Sequence, residues 1–210
     1  MPRPLITEND VRRAARNGKR ELYSPPNAII TPLARDVAQT LGLRFVSSKN
    51  ESAALPPNDL ITIAIGSDHS GFCAKAELKT FLADKGYRLL DVGTDSEQSC
   101  DYPDFAEKVG EAIRTGRATF GIMLDGVGTA SAVALNKIPS IRAASCYNEF
   151  TARIARAHGD ANALSLGARS LGIETMKSIV QTFLATSFEG ERHEARLEKI
   201  RAIERRYLQR

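Results

Sequence analysis

From Leu60 onward, short apolar runs alternate with longer stretches of helical periodicity, and this rhythm restricts the fold more than any other feature. The runs 61–66, 88–92, 119–124, 141–146 and 162–166 read as strands, and 72–86, 103–115, 129–137, 148–157, 172–186 and 190–208 as helices. Such alternation predicts an α/β fold, a Rossmann-like open parallel five-stranded sheet with helices on both faces. Right-handed crossovers then place the loops that leave the strands on one edge, where ligands of open α/β sheets bind. Tryptophan is absent and aromatics are sparse, so the core must be built from Ile, Leu, Val and Ala.

Upstream, 7–18 and 31–42 carry helical periodicity, with Thr7/Asp10 and Thr31-Pro32 as start signals and Pro25-Pro26 between them. The polar, Pro-containing stretch 47–59 reads as a linker. The expected organisation is therefore a small N-terminal helical appendage (1–46), too small to fold well alone, a linker (47–59) and an α/β domain (60–210). The N-terminus shows no secretory signal, and no stretch approaches a membrane span. Cys73, Cys100 and Cys146 are odd in number and lack metal-ligand spacing, which suits reduced thiols in the cytoplasm. The net charge of +4 does not point to nucleic acid: residues 51–187 carry thirteen Lys/Arg against sixteen Asp/Glu, so the excess lies in the terminal segments.

Four groups of chemistry-bearing residues are expected to converge on the loop edge. Asp68-His69 follows the first strand of the α/β domain. The turn Asp125-Gly126-Val127-Gly128-Thr129-Ala130 would present backbone N–H groups at a helix start, a setting for an anion or oxyanion. His158 lies just before the fifth strand, and Arg192-His193-Glu194-Ala195-Arg196 puts two guanidiniums one helical turn apart, with Arg169 as a third. Guanidiniums so grouped suit a phosphate. Each piece also has a plainer reading. Asp68 and His69 can be a loop hydrogen bond, Arg192 and Arg196 a solvated face, and His193 a group packed beside Arg192. The turn lacks the third glycine of a dinucleotide fingerprint, and no acidic residue sits where a ribose would need it, which argues against NAD.

Together, Gly66-Ser67-Asp68-His69-Ser70-Gly71-Phe72, Asp101-Tyr102-Pro103, Gly126-Val127-Gly128 with Asn136-Lys137, Ile141-Arg142-Ala143, His158 to Asn162, Gly167-Ala168-Arg169 and Glu189-Gly190-Glu191-Arg192-His193 form an ordered set. With it, residues 61–207 resemble the ribose-5-phosphate isomerase type B family, which includes the galactose-6-phosphate isomerase subunits. The resemblance implies aldose–ketose isomerisation of a sugar phosphate through an enediolate, without metal or nucleotide cofactor, in a homodimer or dimer of dimers whose sites draw on both subunits. It implies that His158 and Asp68 assist ring opening, that His69, Arg169, Arg192 and Arg196 hold the phosphate, and that Tyr102 lies beside the sugar. The amides of the turn Gly126, Val127, Gly128, Thr129 and Ala130 would stabilise the enediolate oxygen.

The chain departs from the family where the usual catalytic cysteine is replaced by Asp125, and where the Asn after the histidine is Gly159. Asp125 is expected to be the general base. The competing expectation is a helix cap, which would leave a non-catalytic sugar-phosphate-binding protein. Residues 5–43 lie outside the resemblance. Their Ile-Thr-x-x-Asp-Val and Ile-Ile-Thr-Pro-Leu-Ala-Arg-Asp-Val-Ala patterns look like leader segments of bacterial microcompartment-associated enzymes, which implies a docking role toward a shell or enzyme partner.

Overall fold

The computed structural model describes residues 4–24, 28–47, 56–190 and 192–208. Pro25-Pro26, Glu191 and residues 48–55 of the expected linker lie outside the described residues. The chain divides into two compact units, Met1–Ser52 and Ala53–Arg210.

The first unit is not purely helical, contrary to expectation. It runs β1 (Leu5–Ile6), α1 (Glu8–Arg16), β2 (Glu21–Ser24), β3 (Ile29–Ile30), α2 (Pro32–Thr40) and β4 (Arg44–Ser47). Both helices are nine residues long and start 24 positions apart. Equivalent strands pair in parallel, β1 with β3 and β2 with β4. The Asp10 carboxylate accepts from the Thr7 N–H and Oγ1 at 3.0 Å, and Thr31 Oγ1 accepts from the Ala34 N–H at 3.2 Å, so each helix has its own start device. Val11, Ala14, Ala34, Val37, Ala38 and Leu43 form a core of their own.

The second unit continues with β5 (Thr62–Ser67), α3 (Phe72–Asp84), β6 (Arg88–Asp91), α4 (Tyr102–Arg114), β7 (Phe120–Asp125), α5 (Thr129–Leu135), β8 (Ala143–Ser145), α6 (Glu149–Gly159), β9 (Ala163–Gly167), α7 (Ile173–Ala185) and α8 (Arg192–Leu208). These elements match the expected alternation, with termini differing by a few residues as frayed ends do. The sheet is wholly parallel in the order β6-β5-β7-β9-β8. The chain leaves β5 for β6 on one side and returns to β7 on the other, so strand order reverses between the carboxyl ends of β5 and β7.

The two faces of the sheet differ in bulk. Ile63, Ile65, Ile122, Leu124, Leu164 and Leu166 pack with residues of α3 and α7. The opposite face carries Ala64, Met123 and Ala163 against Ala106, Val109 and Ala112 of α4 and Leu135 of α5. Small residues there let α4 sit close: a Cβ on Gly121 would lie 2.5 Å from Val109 Cγ1. Among the described residues, no helix is long and apolar enough to cross a membrane.

Candidate active site

At the carboxyl edge, β5 hands directly to Asp68, whose N–H donates to the Leu124 carbonyl of β7 at 3.0 Å. The Asp68 Oδ1 accepts from the Ser70 N–H (2.9 Å), the Ser70 hydroxyl (2.6 Å) and the Gly71 N–H (3.1 Å), which closes a tight turn into α3. His69 Nδ1 lies 3.2 Å from the Cys100 carbonyl and 3.3 Å from its amide nitrogen. That contact ties His69 to the loop that delivers Tyr102, the first residue of α4.

The second turn leaves β7 at the strand-order reversal. Gly128 has φ of +89°, a conformation only glycine adopts readily, and a Cβ there would meet the Gly167 amide at 2.8 Å. The turn thus packs onto the end of β9. Arg169, just past that end, donates its N–H to the Gly126 carbonyl at 3.0 Å, and its exposed side chain begins alongside Gly126.

Asp125 closes this turn from inside. Its Oδ1 accepts from the Val127 N–H at 2.7 Å and from the Gly128 N–H, and its Oδ2 accepts from the Ser131 N–H at 2.8 Å. Burial works to raise its carboxyl, but the donors of Ser131, Gly128 and Val127 outweigh that and hold it below the ordinary carboxylate value. The side chain expected to be a base is, at rest, a satisfied cap. Two of the amides expected to face an enediolate oxygen, those of Val127 and Gly128, are occupied by it. Thr129 and Ala130 lie in the first turn of α5.

The other expected residues gather elsewhere. In a parallel sheet, a residue just before a strand lies at the opposite edge from one just after it. His158, near the end of α6 and ahead of β9, therefore sits at the amino edge. α7 runs back from the carboxyl edge and delivers Glu189, Arg192, His193 and Arg196 to the same place, where the Glu189 N–H donates to the Ala157 carbonyl at 2.9 Å. Strand β7, six residues long, separates the two edges by about 16 Å. The expectation that all four groups converge on one edge is corrected: Asp68, His69, Tyr102, the 125–130 turn and Arg169 share the carboxyl edge, and His158, Arg192 and Arg196 share the amino edge.

This second cluster is organised around His193, 2% exposed. Its ring stacks on His158 with centroids 4.0 Å apart and planes 11° from parallel. Its Nε2 accepts from Arg192 Nε at 3.2 Å, and its Nδ1 lies 3.3 Å from Arg196 Nη1. Glu189 Oε2 lies 3.5 Å from His158 Nε2 and 3.6 Å from His193 Nε2. Burial and the positive fields of His158, Arg192 and Arg196 push the His193 pKa down, with Glu189 opposing them. Sequence reasoning gives Glu189 no role and leaves His193 as packing; the signal for both is their adjacency to the arginine pair in the 189–196 string.

His158, Glu189 and His193 are ligand-type side chains close enough to share an ion. They do not fit one as arranged. Lone pairs of two parallel stacked rings lie in their own planes and do not meet at one point, and a cation would sit against two guanidiniums. Arg192 and Arg196 are exposed. Arg142 and Arg156 both pair with Asp160, and Arg201 and Arg205 pair with Glu198, whereas Arg192 and Arg196 have no carboxylate partner among the described residues.

An open parallel α/β sheet with a turn-bound carboxylate, and an arginine pair without a carboxylate partner among the described residues, has the chemistry that suits a small anionic ligand. A family model described as Ribose/Galactose Isomerase matches residues 63–200. Ribose-5-phosphate isomerase B of Escherichia coli (strain K12) is 40% identical over 144 residues, covering 69% of this chain and 97% of the relative. The D-erythrulose-4-phosphate isomerase of Pectobacterium atrosepticum is 34% identical over 142 residues, 67% of this chain and 93% of the relative. Among solved structures, ribose-5-phosphate isomerase B of Clostridium thermocellum superposes with a TM-score of 0.69 at 46% identity, covering 70% of this chain and 99% of that one. The chain belongs to the ribose/galactose isomerase family, and its first unit lies outside the match.

Proposed function

We propose that this protein interconverts the aldose and ketose forms of a sugar phosphate, with ribose 5-phosphate as the default, in a homodimer whose sites each join the carboxyl edge of one subunit to the amino edge of the other. The observation that carries this reading is the separation of the two clusters: each is polar, and the sheet holds them on opposite edges of one chain. A second copy brings the two edges together. Exposed Val133, Phe150, Ile200, Ile203 and Tyr207 give the second unit the apolar surface such an assembly requires. Relatives named for a pentose and a tetrose phosphate leave the chain length of the sugar to experiment.

In the proposed site, Arg192 and Arg196 of one subunit, with His69 and Arg169 of the other, hold the phosphate, and His158 with Asp68 opens the sugar ring. Tyr102 lines the sugar. Asp125 takes the proton from the carbon next to the carbonyl, and the carbon's electron pair moves by way of the new C=C bond onto the carbonyl oxygen to give the enediolate. The hydroxyl on the deprotonated carbon passes its proton to the former carbonyl oxygen and becomes the new carbonyl, and Asp125 returns its proton to the former carbonyl carbon. At rest the capped Asp125 is a weak base. Its release is coupled to substrate arrival: the amides of Val127 and Gly128 exchange the carboxylate for the substrate oxygen. Losing those donors raises the carboxyl toward a useful value. The capped resting state also favours a second reading, a sugar-phosphate binder without turnover.

The test follows deuterium entry next to the carbonyl, by NMR in deuterated water, across a panel of aldose and ketose phosphates. Exchange with one sugar establishes the isomerase reading, and binding without exchange selects the binder.

We further propose that the first unit is a docking segment for a microcompartment shell or enzyme partner, as its leader-like pattern suggests. A chain beginning near Leu60 should remain folded and active and lose co-localisation; loss of folding would refute the docking role.

A further inference from the structure

His193 is more than a packed neighbour of the arginines. It sits in the first turn of α8, its N–H donating to the Gly190 carbonyl at 2.9 Å, and it touches every other member of the amino-edge cluster. A neutral imidazole has one lone pair and one N–H. With Nε2 accepting from Arg192, Nδ1 carries the proton and faces Arg196 Nη1, a donor facing a donor. In the other tautomer the roles reverse. One ring thus offers a single acceptor to two guanidiniums, and at any moment one of them lacks a partner on the imidazole. Both guanidiniums are exposed, and an external anion is a group that can accept from both at once. The ring's face meanwhile fixes the plane of His158.

The geometry points to His193 as a positioning residue that keeps Arg192 and Arg196 directed toward an external phosphate and holds the His158 ring in plane. The inference rests on the proposed sugar-phosphate reading, because it needs the arginine pair to meet an anion. Glu189, His158, Arg192 and Arg196 are the charged or titratable groups that face the ring, and all four lie within the cluster.

Two substitutions separate the two tasks. His193→Phe keeps a flat ring against His158 and removes both nitrogens. It should weaken binding of inorganic phosphate and raise KM for the sugar phosphate, each about tenfold, while kcat changes less. His193→Gln keeps an acceptor for Arg192 and removes the stacking face, so it should spare phosphate affinity and lower kcat for ring-closed aldoses. A residue that only fills space would move both parameters together with thermal stability, and that outcome overturns the proposal.

One measurement needs no variant. The nitrogen NMR signals of His193 in the wild-type protein should move as inorganic phosphate saturates the site. Phosphate binding that leaves them unmoved overturns the proposal, as does absence of phosphate binding. Movement without deuterium exchange on any sugar overturns the isomerase reading and leaves the role of His193 intact.

Discussion

The sharpest test of the site is Asp125→Asn, because the structure fixes what the change removes. Three backbone donors meet one carboxylate: Val127 and Gly128 on one oxygen and Ser131 on the other. Asparagine keeps one acceptor oxygen, so two bonds fall to neutral strength, and its NH2 faces the Ser131 amide. Hydrogen bonds to a charged group contribute about 1.5–3 kcal/mol and neutral ones about 0.5–1.5. Weakening two and losing one, with some relaxation of the turn, gives a destabilisation of about 2–4 kcal/mol. Denaturant unfolding followed by circular dichroism, with an unchanged m-value, reads it. The pH dependence has a defined sign. The folded carboxyl lies below its ordinary 3.8, so its contribution is complete above that value and is lost as pH falls through the lower folded one. The Asn protein should lack that acid dependence. In the same preparation, deuterium exchange should fall about 10²–10⁴-fold if Asp125 moves the proton. An Asn protein within about 0.5 kcal/mol of wild type, with the acid limb intact, would refute the cap; full exchange in a destabilised protein would refute the base and leave the cap.

Three further outcomes follow from the same geometry. Asp68→Asn and His158→Ala, each inactive alone, should recover about a quarter of wild-type turnover when unfolded and refolded together, since half of randomly formed dimers are mixed and each mixed dimer has one intact site; no recovery would exclude the shared site. The His193 imidazole, held below its ordinary 6.5, keeps the folded protein from taking up a proton that the unfolded chain binds. Stability should therefore fall as pH drops from 6.5 toward the folded value, and urea midpoints of wild type and His193→Phe should converge or cross across that window. Gly121→Ala places a methyl 2.5 Å from Val109 Cγ1 and 2.8 Å from Ile113 Cδ1, which should cost about 1–3 kcal/mol in thermal or urea unfolding; a neutral result would mean α4 yields more readily than its packing indicates.

The α/β unit is legible in the sequence because each buried strand is a short apolar run and each helix carries its own period. β5 and β7 are examples, bounded by Asp68 and by the Gly126–Gly128 turn. The strands of the first unit are not legible. They are two to four residues long, shorter than the span over which alternation declares itself, and only the pairing of equivalent segments makes them strands. The residues of the site are legible as a set, but their grouping is not read correctly from adjacency to a strand. His158 comes before β9 and Arg169 after it, and in a parallel sheet that order alone puts them on opposite edges. The fate of Asp125 could not be read at all. A carboxylate at the head of a Gly-rich turn is equally a base or a cap, and the choice depends on where the amides of Val127, Gly128 and Ser131 point.

The placement of His158 and Asp68 on opposite edges bears on how this sequence is free to drift. On the proposed assembly, the residues that jointly contact one sugar phosphate never meet within a single chain. A change in the 125–131 turn that suits a shorter sugar must be answered by a change near 158 or 192–196, and the two are linked only through a copy of the same gene product. Correlated substitution between these segments across relatives would then record a contact between molecules, and a folding calculation that treated it as a contact within one chain would pull the sheet into a shape it does not have.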